Sequence, residues 1–175
     1  RNYSEFQKFM RTLQGAGSID SIREIWWDIR PHPGYGTVEI RICDSIPNLN
    51  DVVDLAALIQ ALVVGLCNHY ENGTQLAYLD SWIIYENKWR ATRYGMDANI
   101  ITDSDGSQVQ IRDIIKSTIL ALEPEVDKLN LSDNMDRLIN RIDSKNDYYR
   151  NQIKLFNKCN NFNEVIKKNI EDLKC

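Results

Sequence analysis

The sequence predicts an α+β fold, in which one antiparallel strand pair near the N-terminus is packed by helices and followed by a helical C-terminal region. Three observations carry this. Val38, Ile40 and Ile42 alternate with Glu39, Arg41 and Cys43, the two-residue period of a strand. An Ile/Trp-rich stretch precedes them, joined by Pro31-His32-Pro33-Gly34-Tyr35-Gly36, rigid at its prolines and free at its glycines, as a shaped reversal requires. Most of the remaining chain places apolar residues at helical spacing, as in Met135, Leu138, Ile139 and Ile142.

In order, Tyr3, Phe6, Phe9, Met10 and Leu13 mark a first helix over 3–13, which Gln14-Gly15-Ala16-Gly17 stops. Strands are expected over 24–30 and 36–44. Asn48 or Asn50 can cap the next helix, and Asp51 favours its positive end. That helix, 52–66, is apolar almost all round and so buried on most sides. A further helix runs from 78 to 94, with Gly95 as its stop and Glu86 and Arg90 at the i,i+4 spacing. A hairpin follows, Ile100-Ile101 and Val109-Ile111 flanking Asp105-Gly106. Four helical stretches are then expected, at 111–122, 124–142, 145–157 and 161–174.

The 175 residues carry 21 basic and 25 acidic side chains, a net charge of −4 and 43% hydrophobic residues, which suits one core rather than two. The mild acidity argues against a nucleic-acid partner or a polybasic membrane surface. The longest apolar run, Leu55 to Leu66, is broken by Gln60 and falls short of the roughly 20 residues that span a bilayer, so no membrane association is expected. Cys43, Cys67, Cys159 and Cys175 lie far apart without a CxxC pair, which disfavours zinc and suits a reduced, cytoplasmic location. Small molecules or proteins, a second copy included, are the partners this leaves. The chain begins at Arg1 rather than Met, and is expected to belong to something longer.

Chemistry concentrates in Trp26 to Asp44. Glu39 and Arg41 share one strand face, and Asp28 and Arg30 share a face of the preceding strand. If these faces coincide, two acids and two arginines line one patch. Spacing alone favours an ordinary solvated face, yet arginine's planar fork also suits carboxylate or phosphate, and a glutamate beside it suits Mg²⁺. Asn87, Arg90 and Arg93 share about a third of a helix circumference, where a solvated basic face is again the plainer reading. His32 is a weaker candidate for a general base, a surface or structural role being the plainer reading, and His69 is weaker still, while Cys43, on the parity of Glu39 and Arg41, is expected to be a small packed residue. Asp103-Ser104-Asp105-Gly106 fails as a calcium loop because Gly106 comes too early and position twelve is Ile114.

The ordered series of segments adds a resemblance. Residues 21–44, Ser-Ile-Arg-Glu-Ile-Trp-Trp-Asp-Ile-Arg-Pro-His-Pro-Gly-Tyr-Gly-Thr-Val-Glu-Ile-Arg-Ile-Cys-Asp, then Leu55 to Ala61, Asn87 to Gly95 and Ile101-Thr102-Asp103 resemble the signature of bacterial carboxylate-amine ligases of the glutamate-cysteine ligase type 2 family. Val38-Glu39-Ile40-Arg41 with Asp44 also resembles the last active-site strand of glutamine synthetases, distant relatives in fold. The resemblance implies a glutamine synthetase-like fold whose antiparallel strands form one side of an active-site sheet. It implies an enzyme that uses ATP and Mg²⁺ to join glutamate to cysteine or another amine through an acyl phosphate. In it, Glu39 is the Mg²⁺ ligand, Arg41 the phosphoryl or acyl-phosphate clamp, Arg30 and Asp28 contact the amino acid or hold Arg41, and Asn87 and Arg93 contact nucleotide or substrate.

The family's Gly-x-Glu-x-Glu, Gly-Thr-His-Pro and His-Val-His-Val-Gly segments do not occur in this chain. Residues 1–175 are therefore expected to form the C-terminal portion of the catalytic domain. Residues 1–95 would carry the motif-bearing strands and helices and 96–175 the hairpin and helical tail, the N-terminal half being absent and the chain inactive alone. The alternative from another class is a non-catalytic helical interaction module that retains a ligase-derived sheet.

Overall fold

A computed structural model describes residues 3–145 and 147–173 as an α+β chain in two units, Arg1–Ser45 and Ile46–Cys175. The expected helix end at 174 and Cys175 lie outside the described residues.

In the first unit, α1 (Tyr3–Gly15) precedes a 3-10 turn at Ile22–Glu24 and a hairpin of β1 (Ile29–His32) and β2 (Thr37–Ile40). Both strands are shorter than the sequence suggests. Ser21 and Glu24 form a reciprocal capping box, which satisfies local backbone donors and so fixes a turn where the Ile/Trp run predicts a strand. Trp27 instead packs against the rings of Phe6 and Phe9 in α1, at 5.9 and 4.9 Å between centroids. Beyond Ile40 the pairing continues only through the Arg41 amide, which donates to the Asp28 carbonyl at 2.7 Å.

The second unit opens with α2 (Leu49–Glu71). Asn48 is its cap, its side-chain oxygen accepting from the amides of Asn50 and Asp51 at 2.9 and 3.4 Å. The helix continues past Leu66, so its 23 residues are long and apolar enough to cross a membrane by length and composition, which the interrupted Leu55–Leu66 run does not suggest. It is covered along one side only, not on most sides as its all-round apolarity predicts: Val52, Val53, Val63 and Leu66 are exposed, because the small residues and the two acids, not the large apolar ones, face its neighbours. Ala57 and Ala61 are buried in one cluster with Ile119, Leu122, Val126 and Met135, and Asp51 and Asp54 are paired to arginines of a later helix.

Next come α3 (Ser81–Tyr94), the hairpin of β3 (Asn99–Ile101) and β4 (Gln108–Gln110), then α4 (Ile111–Ala121), α5 (Glu123–Leu129), α6 (Ser132–Ser144), α7 (Tyr148–Cys159) and α8 (Phe162–Asp172). The single helix expected over 124–142 is two, because Asn130 takes a left-handed conformation (φ 55°) that ends α5. Lys145 and Asn160 end α6 and α7 in the same way, at φ 51° and 49°. Asp103 shapes the β3–β4 turn, accepting from the amides of Asp105 and Ser107 at 3.0 Å each.

Small residues let α2 approach its neighbours. A Cβ on Gly65 would lie 2.7 Å from Leu122 Cδ2, and Leu122 is buried. Gly65→Ala is expected to lower stability by about 1 kcal/mol, overpacking of roughly 1–3 kcal/mol outweighing a helix-propensity gain of about 1 kcal/mol. Urea unfolding checks this; a stabilised variant would show that Leu122 yields freely.

Candidate functional site

The hairpin register pairs Arg30 with Glu39, so the polar faces of the two strands coincide. The side chains meet there. Arg30 Nε donates to Glu39 Oε2 at 2.7 Å, and Arg41 Nη1 approaches the same oxygen at 3.4 Å. Arg30 is only 5% exposed. Its Nη1 points to three carbonyls of the preceding turn, those of Ile22, Arg23 and Ile25, at 3.2, 3.0 and 3.3 Å. Arg30 is thus a bolt between the 22–25 turn and the hairpin, and it sets the carboxylate of Glu39.

That carboxylate is held below its usual pKa first by the Arg30 hydrogen bond, against a smaller opposing effect of desolvation. Arg41 is one-third exposed and lies with its guanidinium carbon 5.2 Å from the Trp26 ring centre. Trp26 is 82% exposed, so the cation rests on an open aromatic surface. Asp28 is half-buried on the same strand face. His32 stacks on Tyr35 at 4.5 Å, and its Nδ1 is buried without a hydrogen-bond partner.

The opposite face of the hairpin reverses the expected sidedness. Ile29 and Val38 are exposed, although they form the apolar side of the strands, and the arginine on the polar side is buried.

Asn87 and Arg93 belong to the second unit. The Asn87 amide is taken up by β3, its Nδ2 donating to the Ile101 carbonyl and its Oδ1 accepting from the Ile101 amide, both at 2.8 Å. Arg90 binds Glu86, the Asn99 carbonyl and Gln108 Oε1 at 2.9, 3.1 and 2.8 Å. These two residues of the basic face therefore hold the β3–β4 hairpin to α3, while Arg93 is exposed beside the Tyr94 ring.

Two ion-pair clusters escape the sequence reading. Asp54, buried on α2, accepts two hydrogen bonds from Arg137, Nε at 3.0 Å and Nη2 at 2.6 Å, and one from Asn134 at 2.7 Å. Asp51 is bound by Arg141 and the Tyr148 hydroxyl. Arg137 holds Asp54 below its usual pKa, whereas burial raises that of Asp51. The available signal is two acids at i,i+3 in an otherwise apolar helix, matched by arginines at i,i+4 on α6. The second cluster joins Asp97 to Arg150 and Tyr149, and buried Arg112 to Asp147 at 2.6 Å.

The Arg150 hydrogen bond, followed by that of Tyr149, brings Asp97 down to about 2. A folded pKa below the unfolded value contributes stability that is present above the unfolded pKa and lost as pH falls through the folded one. Protonation of Asp97 therefore weakens the fold as pH drops from about 4 to about 2, Asp54, lowered likewise, acts in the same direction, and Asp51, raised by burial, acts in the opposite direction at higher pH. The urea midpoint is expected to fall over that window, with a smaller fall in Asp97→Asn. An equal fall in the variant would remove Asp97 from the account.

The model of glutamate-cysteine ligase family 2 matches residues 1–173. The chain belongs to this family. Proteins of Thermobifida fusca and Bdellovibrio bacteriovorus, each named "Putative glutamate--cysteine ligase 2", are 45% and 34% identical to it over 135 and 165 residues, or 77% and 94% of the chain. A protein of the same name from Mycobacterium tuberculosis is 40% identical over 135 residues. The chain spans about a third of the length of the first of these relatives, 34%, and 43% of the Bdellovibrio protein.

Proposed function

We propose that this chain contributes one wall of the active site of an ATP-dependent carboxylate-amine ligase with a glutamine synthetase-like fold, which joins the γ-carboxylate of glutamate to the amine of cysteine. The observation that carries the reading is Arg41, displayed on Trp26 beside a glutamate that a buried arginine fixes in place. A carboxylate is anionic and resists attack by an amine. Transfer of the terminal phosphoryl group of ATP to it gives γ-glutamyl phosphate and ADP; the amine nitrogen then bonds to the acyl carbon, phosphate leaves with the C–O electron pair, and the nitrogen loses a proton. Charge accumulates on phosphoryl and acyl oxygens in both steps, and a preorganised guanidinium stabilises it without reorganising.

Arg41 fills that role. Arg30 is the positioning residue, acting through Glu39, and Asp28 and Arg93 remain the candidates for substrate and nucleotide contacts. Asn87, with both amide groups bound to Ile101, supports the nucleotide site by holding β3. Mg²⁺ is a weaker fit to these residues alone. Among the described residues no three His, Cys, Asp or Glu side chains come together as a metal site, and Glu39 already shares Oε2 with two guanidinium groups. On this reading Glu39 offers at most one of the six ligands Mg²⁺ takes, and the rest come from the part of the family's length outside this chain.

The competing reading, a non-catalytic module that keeps a ligase-derived sheet, is favoured by the purely structural bonds of Arg30 and Asn87. ADP release separates the two. A ligase that includes this chain is expected to form ADP only with both glutamate and cysteine present, and the chain alone is expected to form none. Absence of ADP from the complete assembly would leave the module.

A further inference from the structure

α3 is apolar on two opposite sides. Ile83, fully buried, and half-buried Asn87 and Ala91 face the rest of their unit. Trp82, Tyr85 and Trp89 recur at i, i+3 and i+7 on the other side, one above another along the helix. They are 61%, 73% and 54% exposed. Three large aromatic rings on one exposed stripe are uncommon on a finished surface, because each ring buries some 150–250 Å² when covered.

We infer that the Trp82–Tyr85–Trp89 stripe is the docking surface for the part of a family ligase that this chain does not span. Length identifies this occupant. In the Thermobifida fusca relative the matched stretch belongs to a protein about three times as long, so the family's length includes further polypeptide that can cover such a stripe. The inference rests on family membership and not on the reaction proposed above, so a failure of either leaves the other standing.

The test co-expresses this chain with the unmatched two-thirds of the Thermobifida fusca relative as a separate polypeptide. Light scattering is expected to show a 1:1 complex, and hydroxyl-radical labelling of Trp82 and Trp89 to fall at least 5-fold relative to the chain alone. Trp82→Ala with Trp89→Ala is expected to weaken the complex at least 10-fold. Circular dichroism and the melting temperature check that the doubly substituted chain remains folded, and Tyr85→Ala provides a milder variant with the same direction of effect. Failure to form a complex overturns the inference, as does a complex in which both tryptophans label as in the free chain. A dimer of this chain alone that protects the same tryptophans also overturns it, in favour of a second copy as the occupant.

Discussion

Arg41→Ala is expected to lower kcat by about 10²-fold or more in a ligase assembled from this chain and the part of the family's length outside it, the scale of losing one preorganised charge stabiliser. The argument rests on what Arg41 is spared from doing. Arg30 carries the structural load of the hairpin, binding three carbonyls and Glu39, while Arg41 makes a long 3.4 Å contact to Glu39 and lies on an exposed ring. Its removal therefore costs the fold little and the transition state much, so kcat should fall further than KM for glutamate rises. Arg41→Lys keeps the charge but loses the planar fork, and is expected to recover only part of the rate. Wild-type turnover in Arg41→Ala would exclude it from the reaction.

Arg30→Ala is expected to act on stability first. The substitution leaves Glu39, itself one-third exposed, without its principal partner and strips three carbonyls of a shared donor, and a buried acceptor left unsatisfied costs roughly 1–3 kcal/mol. The first unit has no large apolar core to absorb such a loss: Ile25 is its one buried hydrophobic residue among those described. Hydrogen exchange should accelerate earliest at the Ile25 amide, which closes the 3-10 turn on the Ile22 carbonyl, and at the Arg41 amide, bonded to Asp28. Unchanged exchange at both would show that the turn holds without its bolt. On the proposed reading, in which Arg30 acts through Glu39, a folded Arg30→Lys variant is expected to lose rate with a shifted pH profile, a readout that packing alone would not move.

The hairpin was legible because its reversal and its two-residue alternation are both local. Parity puts Glu39 with Arg41 on one strand face and Asp28 with Arg30 on a face of the other strand but leaves open whether the two coincide, and the register that pairs Arg30 with Glu39 brings them together. Which face is covered was not legible. Alternation labels the sides of a strand but not what lies against them, so the exposure of Ile29 and Val38 and the burial of Arg30 depend on the 22–25 turn folding under the hairpin. The capping box that builds that turn competes with the strand preference of the Ile/Trp run, and it prevails because Ser21 and Glu24 satisfy each other's backbone donors. Asp54 and Arg137 were invisible for another reason. The paired acids of α2 and paired arginines of α6 are each a local pattern, but Asp54 and Arg137 are 83 residues apart, and nothing local says that the two patterns meet.

Three joints of the helical tail place a non-glycine residue in the left-handed region, Asn130, Lys145 and Asn160, and that bears on how this part of the chain can evolve. Each joint asks only for a side chain that tolerates positive φ, a demand asparagine meets readily. The path of the tail is thus encoded in a few backbone positions, and the helices between them are free to drift in composition. Asparagine stands at two of the three joints, 130 and 160, and at those positions it reads as a requirement of backbone geometry.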